Sequence, residues 1–281
     1  APRRLPVVWQ RIMVLPPALF AGARGRWWRW VARRAAATVV ITELMAEEQA
    51  LLGAPGPLWR IPNFRRPDRF LAIDRDRARP ALRAELALAP DATLIGLVGH
   101  LVPQKRPELA VEVLHLVRAA GVPAHLVVAG GGPLAEEVAA RVRALGLGDH
   151  VSLLGHRSDV EHVLAGLDVL VLTSDGEGVP GIVIEAHMAA CPVVAFPAGG
   201  VADVVVDGTG VVLDRPDVDD MARAVTGLLR RPDRGAALGA AGRERSGRFT
   251  LDAAADAYEA GLGALVPETV PAAVAGPHRA R

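Results

Sequence analysis

The chain has 281 residues, of which 51% are apolar and only 4% aromatic. That is ample material for a buried core and excludes a disordered chain. The single cysteine, Cys191, excludes a disulfide scaffold and fits a reducing, cytoplasmic compartment, and the near balance of 32 basic and 31 acidic residues argues against a protein built to coat nucleic acid.

The balance hides an asymmetry at the start of the chain. The first 36 residues carry eight arginines and no acid, so the remaining 245 carry a net charge of −7. Strands are expected at 7–9, 38–42 and 58–61, and helices at 26–36 and 43–52. The segment 12–20 loosely mimics a signal peptide, but Pro16-Pro17 breaks its apolar run. No run of 18 apolar residues occurs anywhere, so no transmembrane helix is expected. Arginines mixed with Trp27, Trp28 and Trp30 suit an interfacial helix on anionic lipid, at the inner face of the membrane. They suit better a helix of a first domain, with tryptophans inward and arginines outward.

Residues 62–67, Pro62-Asn63-Phe64-Arg65-Arg66-Pro67, have linker character, with prolines bracketing a polar turn. A short helix follows over 77–88. From residue 93 onwards two textures alternate. Val/Ile/Leu runs at 94–98, 125–129, 151–154, 169–173, 193–196 and 211–213 read as buried strands, with helical patterns at 107–119, 134–145, 160–165 and 182–190 between them. Strands apolar throughout and alternating with helices predict an α/β domain, a doubly wound parallel sheet covered on both faces. Such sheets bind ligands beyond the carboxyl ends of their strands. Helices are expected at 218–229, 235–247 and 251–265, before a Pro/Ala/Gly-rich tail over 266–281. The resulting division is a partial first domain (1–62), a linker (63–76), a ligand-binding domain (77–249), a helix packing back on the first domain (250–265) and the tail.

Three post-strand loops carry the chemistry. In the first, Gly99-His100 is followed by Lys105, the only lysine in the chain. Glycine admits a close approach, and a lysine supplies a compact positive charge suited to phosphate oxygens. In the second, Gly130-Gly131-Gly132 fails the dinucleotide fingerprint and follows the second strand of the domain, so it reads as a tight structural turn. The third runs from Ser174 to Gly181 and opens a helix. Glu177 and Glu185, with seven residues between them, flank the expected free amides of Gly181, Ile182 and Val183. Amides for phosphate and carboxylates for hydroxyl groups suit a sugar nucleotide. Glu185 lies in an otherwise apolar segment, where a carboxylate must be paired.

These blocks, in this order, resemble the nucleotide-sugar-binding half of GT-B fold glycosyltransferases of the retaining family 4 type. The resemblance runs over residues 37–260. It includes Ile61-Pro62-Asn63, Gly99-His100 with Lys105, Ala129-Gly130-Gly131-Gly132, the Glu177-x7-Glu185 motif with the apolar strand after it, and Gly199-Gly200-Val201-Ala202-Asp203. It implies a GT-B architecture with one complete Rossmann-like domain and a partial first domain, roughly a hundred residues short of ordinary domain sizes. It implies transfer of a sugar from a nucleoside diphosphate sugar (UDP-, GDP- or another) to an unidentified acceptor, with retention and without a metal or cofactor. Lys105, Glu177 and His100 would be catalytic. Donor binding would fall to Gly99, Lys105, Arg106, His156, Arg157, Glu177, Gly181, Ile182, Val183 and Glu185, with Glu185 on the ribose and His156-Arg157 at the base. His100 departs from the pattern, because the family usually has arginine there; Arg106, where glycine is usual, is the expected substitute cation. A non-catalytic nucleotide-sugar-binding module and a nucleotide-sugar epimerase of similar fold are the alternatives.

Overall fold

The computed structural model describes residues 6–12, 22–53 and 56–265. The first unit is a three-stranded parallel sheet of β1 (Val8–Arg11), β2 (Ala37–Val40) and β3 (Leu58–Arg60), in that order, with α1 (Gly22–Ala32) and α2 (Glu43–Leu52) in its crossovers. Helix α1 starts and ends earlier than the sequence pattern suggests, because Arg33 and Arg34 lie in a turn that feeds the buried strand β2. Thr42, expected as the last residue of that strand, instead caps α2 by accepting from the Met45 amide at 3.2 Å. Expectations for 1–5, 13–21 and the tail lie outside the described residues.

The segment expected as a plain linker contains a short helix, α3 (Asp68–Leu71), and the start of α4 (Arg75–Glu85). Asp74 accepts from the Asp76 amide at 3.0 Å and so starts α4 two residues before the expected position. The second unit follows as β4 (Thr93–Val98), α5 (Glu108–Ala119), β5 (Ala124–Ala129), α6 (Ala135–Ala144), β6 (Val151–Gly155), α7 (Val160–Gly166), β7 (Val169–Leu172), α8 (Gly181–Met188), β8 (Val193–Ala195), α9 (Val201–Val204) and β9 (Val211–Val212). Helices α10 (Val218–Leu229), α11 (Pro232–Ser246) and α12 (Leu251–Leu265) close the chain. Pro232 sets the start of α11 at the one place where a missing N–H does no harm.

All pairings in the second sheet are parallel, in the order β6-β5-β4-β7-β8-β9. Strands β5, β7 and β8 are buried along their whole length, which explains their apolar sequences, broken only by His125 of β5. One face packs against α4, α7 and α8 through Leu82, Leu164 and Ile184. The other packs against α5 and α10 through Leu114 and Val225. The chain leaves β4 in one direction and returns to its other side at β7, so the topological switch point lies between them. The loops after β4 and β7 therefore open the crevice where such folds take ligands. The two units are joined by more than the linker: Val40, Ile41 and Met45 of the first share a core with α8 and α9 of the second, and α12 places Ala254 and Tyr258 against Val39 and Trp59.

His187, on the inner side of α8, is fully buried against Gly242. Burial, helped by the nearby Arg245 charge, lowers its pKa to about 4. The folded-state value lies below that of the unfolded chain, so its contribution to stability is whole above pH 6.5 and is lost as pH falls towards 4. His187→Met should flatten the pH dependence of urea stability in that window relative to the parent, by roughly 3 kcal/mol across it. Parallel profiles for the two proteins would refute this.

Candidate donor site

The site assembles at the carboxyl ends of β4, β5, β6 and β7. After β4, Val102 leads into a 3₁₀ turn over Pro103–Lys105. Two contacts tie this turn to the loop after β7: the Asp175 amide donates to the Gln104 carbonyl at 3.0 Å, and Thr173 Oγ1 donates to the Lys105 carbonyl at 2.8 Å. The turn delivers Lys105 Nζ to within 2.5 Å of Glu177 Oε1. The Glu177 side chain is only 8% exposed, so this carboxylate depends on Lys105 for its charge balance.

The third loop is held from two sides. Asn63 Nδ2 of the linker donates to the Val179 carbonyl at 2.9 Å, and the Gly200 amide donates to the Gly178 carbonyl at 2.9 Å. Helix α8 then begins at Gly181. Val183 donates its amide to the Pro180 carbonyl at 3.1 Å in a tight first turn, so of the three amides expected to face an anion, that one is already used. Glu185, expected to be paired, is paired: its Oε1 accepts from Arg65 Nε at 2.6 Å.

Beside this pair lies a cavity of about 440 Å³. Its walls come from several segments: Gly99 and His100 after β4, Gly130 and Gly131 after β5, His156 and Arg157 after β6, and Ile182 and Glu185 on α8, with Arg65 at the side. Lys105 lines a narrow cleft that shares Gly99 and His100 with this cavity and is completed by Thr173 and Ser174. The structure thus brings Gly99, His100, His156, Arg157, Ile182 and Glu185 around one space and sets the Lys105–Glu177 pair next to it. Arg157 is gripped by Asp159 (2.8 Å) and by Glu85. Hydrogen bonds to Asp159 and then Glu85 raise the Arg157 pKa, and Arg157 in turn holds the Asp159 carboxyl at about 2.

Arg106 does not line this cavity. Its backbone sits at φ 46° and ends the 3₁₀ turn, with its amide donating to the Pro103 carbonyl at 3.1 Å. Besides Arg157, the cation that reaches the cavity is Arg65, which lies in the segment expected as linker. Its only sequence signal is a pair of adjacent arginines where the chain enters the second unit. The Gly130-Gly131-Gly132 turn is tight as well as lining the cavity: Gly130, at φ 155°, approaches the Gly99 carbonyl so closely that a Cβ would lie 1.8 Å from it.

The model of the group 1 glycosyl transferases matches residues 78–245. The chain belongs to this family. A D-inositol 3-phosphate glycosyltransferase of Segniliparus rotundus is 31% identical over 210 residues, covering 70% of this chain and 47% of the relative. A GDP-mannose-dependent alpha-(1-6)-phosphatidylinositol monomannoside mannosyltransferase of Mycolicibacterium smegmatis is 46% identical over 80 residues, 28% of this chain and 19% of the relative. The chain spans about half the length of the curated relatives it matches. Among solved structures, the Anabaena protein Alr3699/HepE in complex with UDP superposes with a TM-score of 0.82 at 20% identity, covering 92% of this chain and 72% of that one. That likeness establishes the fold as GT-B. Among the described residues no helix is long and apolar enough to cross a membrane, and no group of three or more His, Cys, Asp or Glu is placed to hold a metal ion.

Proposed function

We propose that the chain is the donor-binding part of a glycosyltransferase that moves a sugar from a nucleoside diphosphate sugar to an acceptor with retention of configuration. The observation that carries this reading is the pairing of Lys105 with Glu177 and of Arg65 with Glu185 around the crevice at the switch point. Two cations and two carboxylates there match a ligand with a charged diphosphate between two sets of hydroxyl groups. In this reading Lys105 holds the diphosphate, Glu177 and the amides of Gly181 and Ile182 face the donor sugar, Glu185 accepts from the ribose hydroxyls, and His156-Arg157 border the base. The bond from the anomeric carbon to the diphosphate oxygen breaks, and the electron pair leaves with the diphosphate. The acceptor oxygen attacks from the same face and gives its proton to the departing phosphate oxygen. Lys105 stabilises the leaving charge electrostatically, and the step is proposed to need no metal.

Thermal shift against UDP-, GDP-, ADP- and dTDP-sugars tests the reading, because a ligand bound only by the native state raises the midpoint. The named relatives point to GDP-mannose in one case and UDP in another, so both bases belong in the panel. A flat response to all four sinks the proposal. Donor converted to an epimer without acceptor favours the epimerase alternative, and tight binding without turnover favours the module.

The basic start of the chain supports a peripheral membrane contact. Trp28 stacks on Trp9 at 5.4 Å, but Trp27 and Trp30 remain 55% and 53% exposed on the arginine-rich helix α1. Exposed indoles beside arginines suit an anionic headgroup layer. The chain should co-sediment with phosphatidylglycerol-containing vesicles and not with pure phosphatidylcholine, and Trp27→Ser/Trp30→Ser should cut the bound fraction several-fold. Equal, negligible binding to both vesicle types ends this reading.

A further inference from the structure

Arg65 is built into the donor cavity from an unexpected direction. Its backbone is pinned to the chain leading into α12: the Arg65 amide donates to the Phe249 carbonyl at 2.8 Å, and the Leu251 amide donates to the Arg65 carbonyl at 3.1 Å. The guanidinium then lies directly on Gly181, where a Cβ would stand 1.4 Å from Nη2, so only glycine at 181 admits it. It thereby rests on the first residue of α8, where the helix dipole disfavours a cation, and a single carboxylate, Glu185, compensates it. Lys105 nearby is balanced separately by Glu177, so at this corner a helix amino pole and a guanidinium meet with Glu185 as the carboxylate that compensates them.

The other basic groups near the cavity are less ready to meet an anion. Arg157 is committed to Asp159 and Glu85. His100 brings an imidazole where the family resemblance expects a second cation, and Arg106 stands elsewhere. We propose that Arg65 is a donor-diphosphate ligand supplied by the linker, in place of the arginine that position 100 lacks. In the free chain it is held by Glu185. When donor binds, the guanidinium exchanges that carboxylate for diphosphate oxygens, and Glu185 is released to accept from the ribose hydroxyls. One residue thus couples occupation of the phosphate subsite to readiness of the ribose subsite.

The inference rests on the donor reading above, and the experiment separates the two. Titration calorimetry on the 281-residue chain compares UDP, GDP, ADP and dTDP with the matching nucleosides. For the diphosphate that the parent prefers, Arg65→Ala should weaken binding about tenfold to a hundredfold, with the nucleoside changed less than about twofold. Arg65→Lys should recover part of the loss, and Arg65→Ala/His100→Arg should recover most of it. Unfolding midpoints identify any variant that fails for want of folding, and Arg65→Lys then carries the comparison. Parent-like diphosphate binding by Arg65→Ala overturns the role of Arg65 alone, as does an equal loss for nucleoside and diphosphate, or no recovery by His100→Arg. A parent that binds none of the four diphosphates overturns the donor reading and the role of Arg65 with it.

Discussion

Lys105→Met should lower affinity for the preferred nucleoside diphosphate about a hundredfold and destabilise the chain at the same time. The two effects have separate origins. The affinity loss comes from removing a cation whose charge-assisted contacts to phosphate are among the strongest a side chain offers. The stability loss comes from Glu177, 8% exposed and left without its partner at 2.5 Å. Breaking a buried pair strands the remaining charge, at about 3–5 kcal/mol when burial is complete. Lys105 is 27% exposed, which softens that figure to about 2 kcal/mol. The double variant Lys105→Met/Glu177→Gln should therefore regain urea stability without regaining diphosphate binding. If Lys105→Met binds diphosphate as the parent does, Lys105 is a structural partner of Glu177 and nothing more.

Gly199→Ala should be nearly as damaging without touching a charged group. Gly199 sits at φ 50°, and a Cβ there would lie 1.9 Å from the Glu177 carbonyl oxygen. Left-handed backbone alone costs alanine about 1–2 kcal/mol. The obstruction is backbone and not a flexible side chain, so the Glu177 loop must move away, raising the total above about 2 kcal/mol. The same movement carries Glu177 off Lys105 and should weaken donor binding. Gly53→Ala supplies the control, with φ 63° and open space around its Cβ position. It should cost about 1 kcal/mol and leave donor binding intact. Equal effects from the two substitutions would show that backbone strain, not the seating of the Glu177 loop, governs position 199.

Much of this architecture is legible before folding. Strands β4, β5, β7 and β8 announce themselves because both faces of a parallel sheet are covered, so each is apolar nearly throughout. Lys105 stands out by its singularity among 31 arginines, and Glu185 by its carboxylate in an apolar helix. Less legible is what each of these groups would meet. Arg65 and Glu185 are 120 residues apart and Lys105 and Glu177 are 72 apart, distances over which no helical or strand period relates one residue to another. The placing of Arg106 away from the cavity wall is illegible for a related reason. Adjacency to Lys105 in sequence says nothing about side-chain direction once the backbone turns left-handed at φ 46°.

The sequence by itself determined the α/β class, the alternation that makes the sheet parallel, and the post-strand loops that carry the chemistry, because these depend on local composition and period. Only the tertiary structure decided which charges neutralise one another, which glycines are obliged to be glycine, and that the linker sends a cation into the cavity. Those outcomes depend on where separate elements meet: Arg65 reaches Glu185 because the start of α12 pins its backbone beside α8 and Gly181 leaves room for its guanidinium.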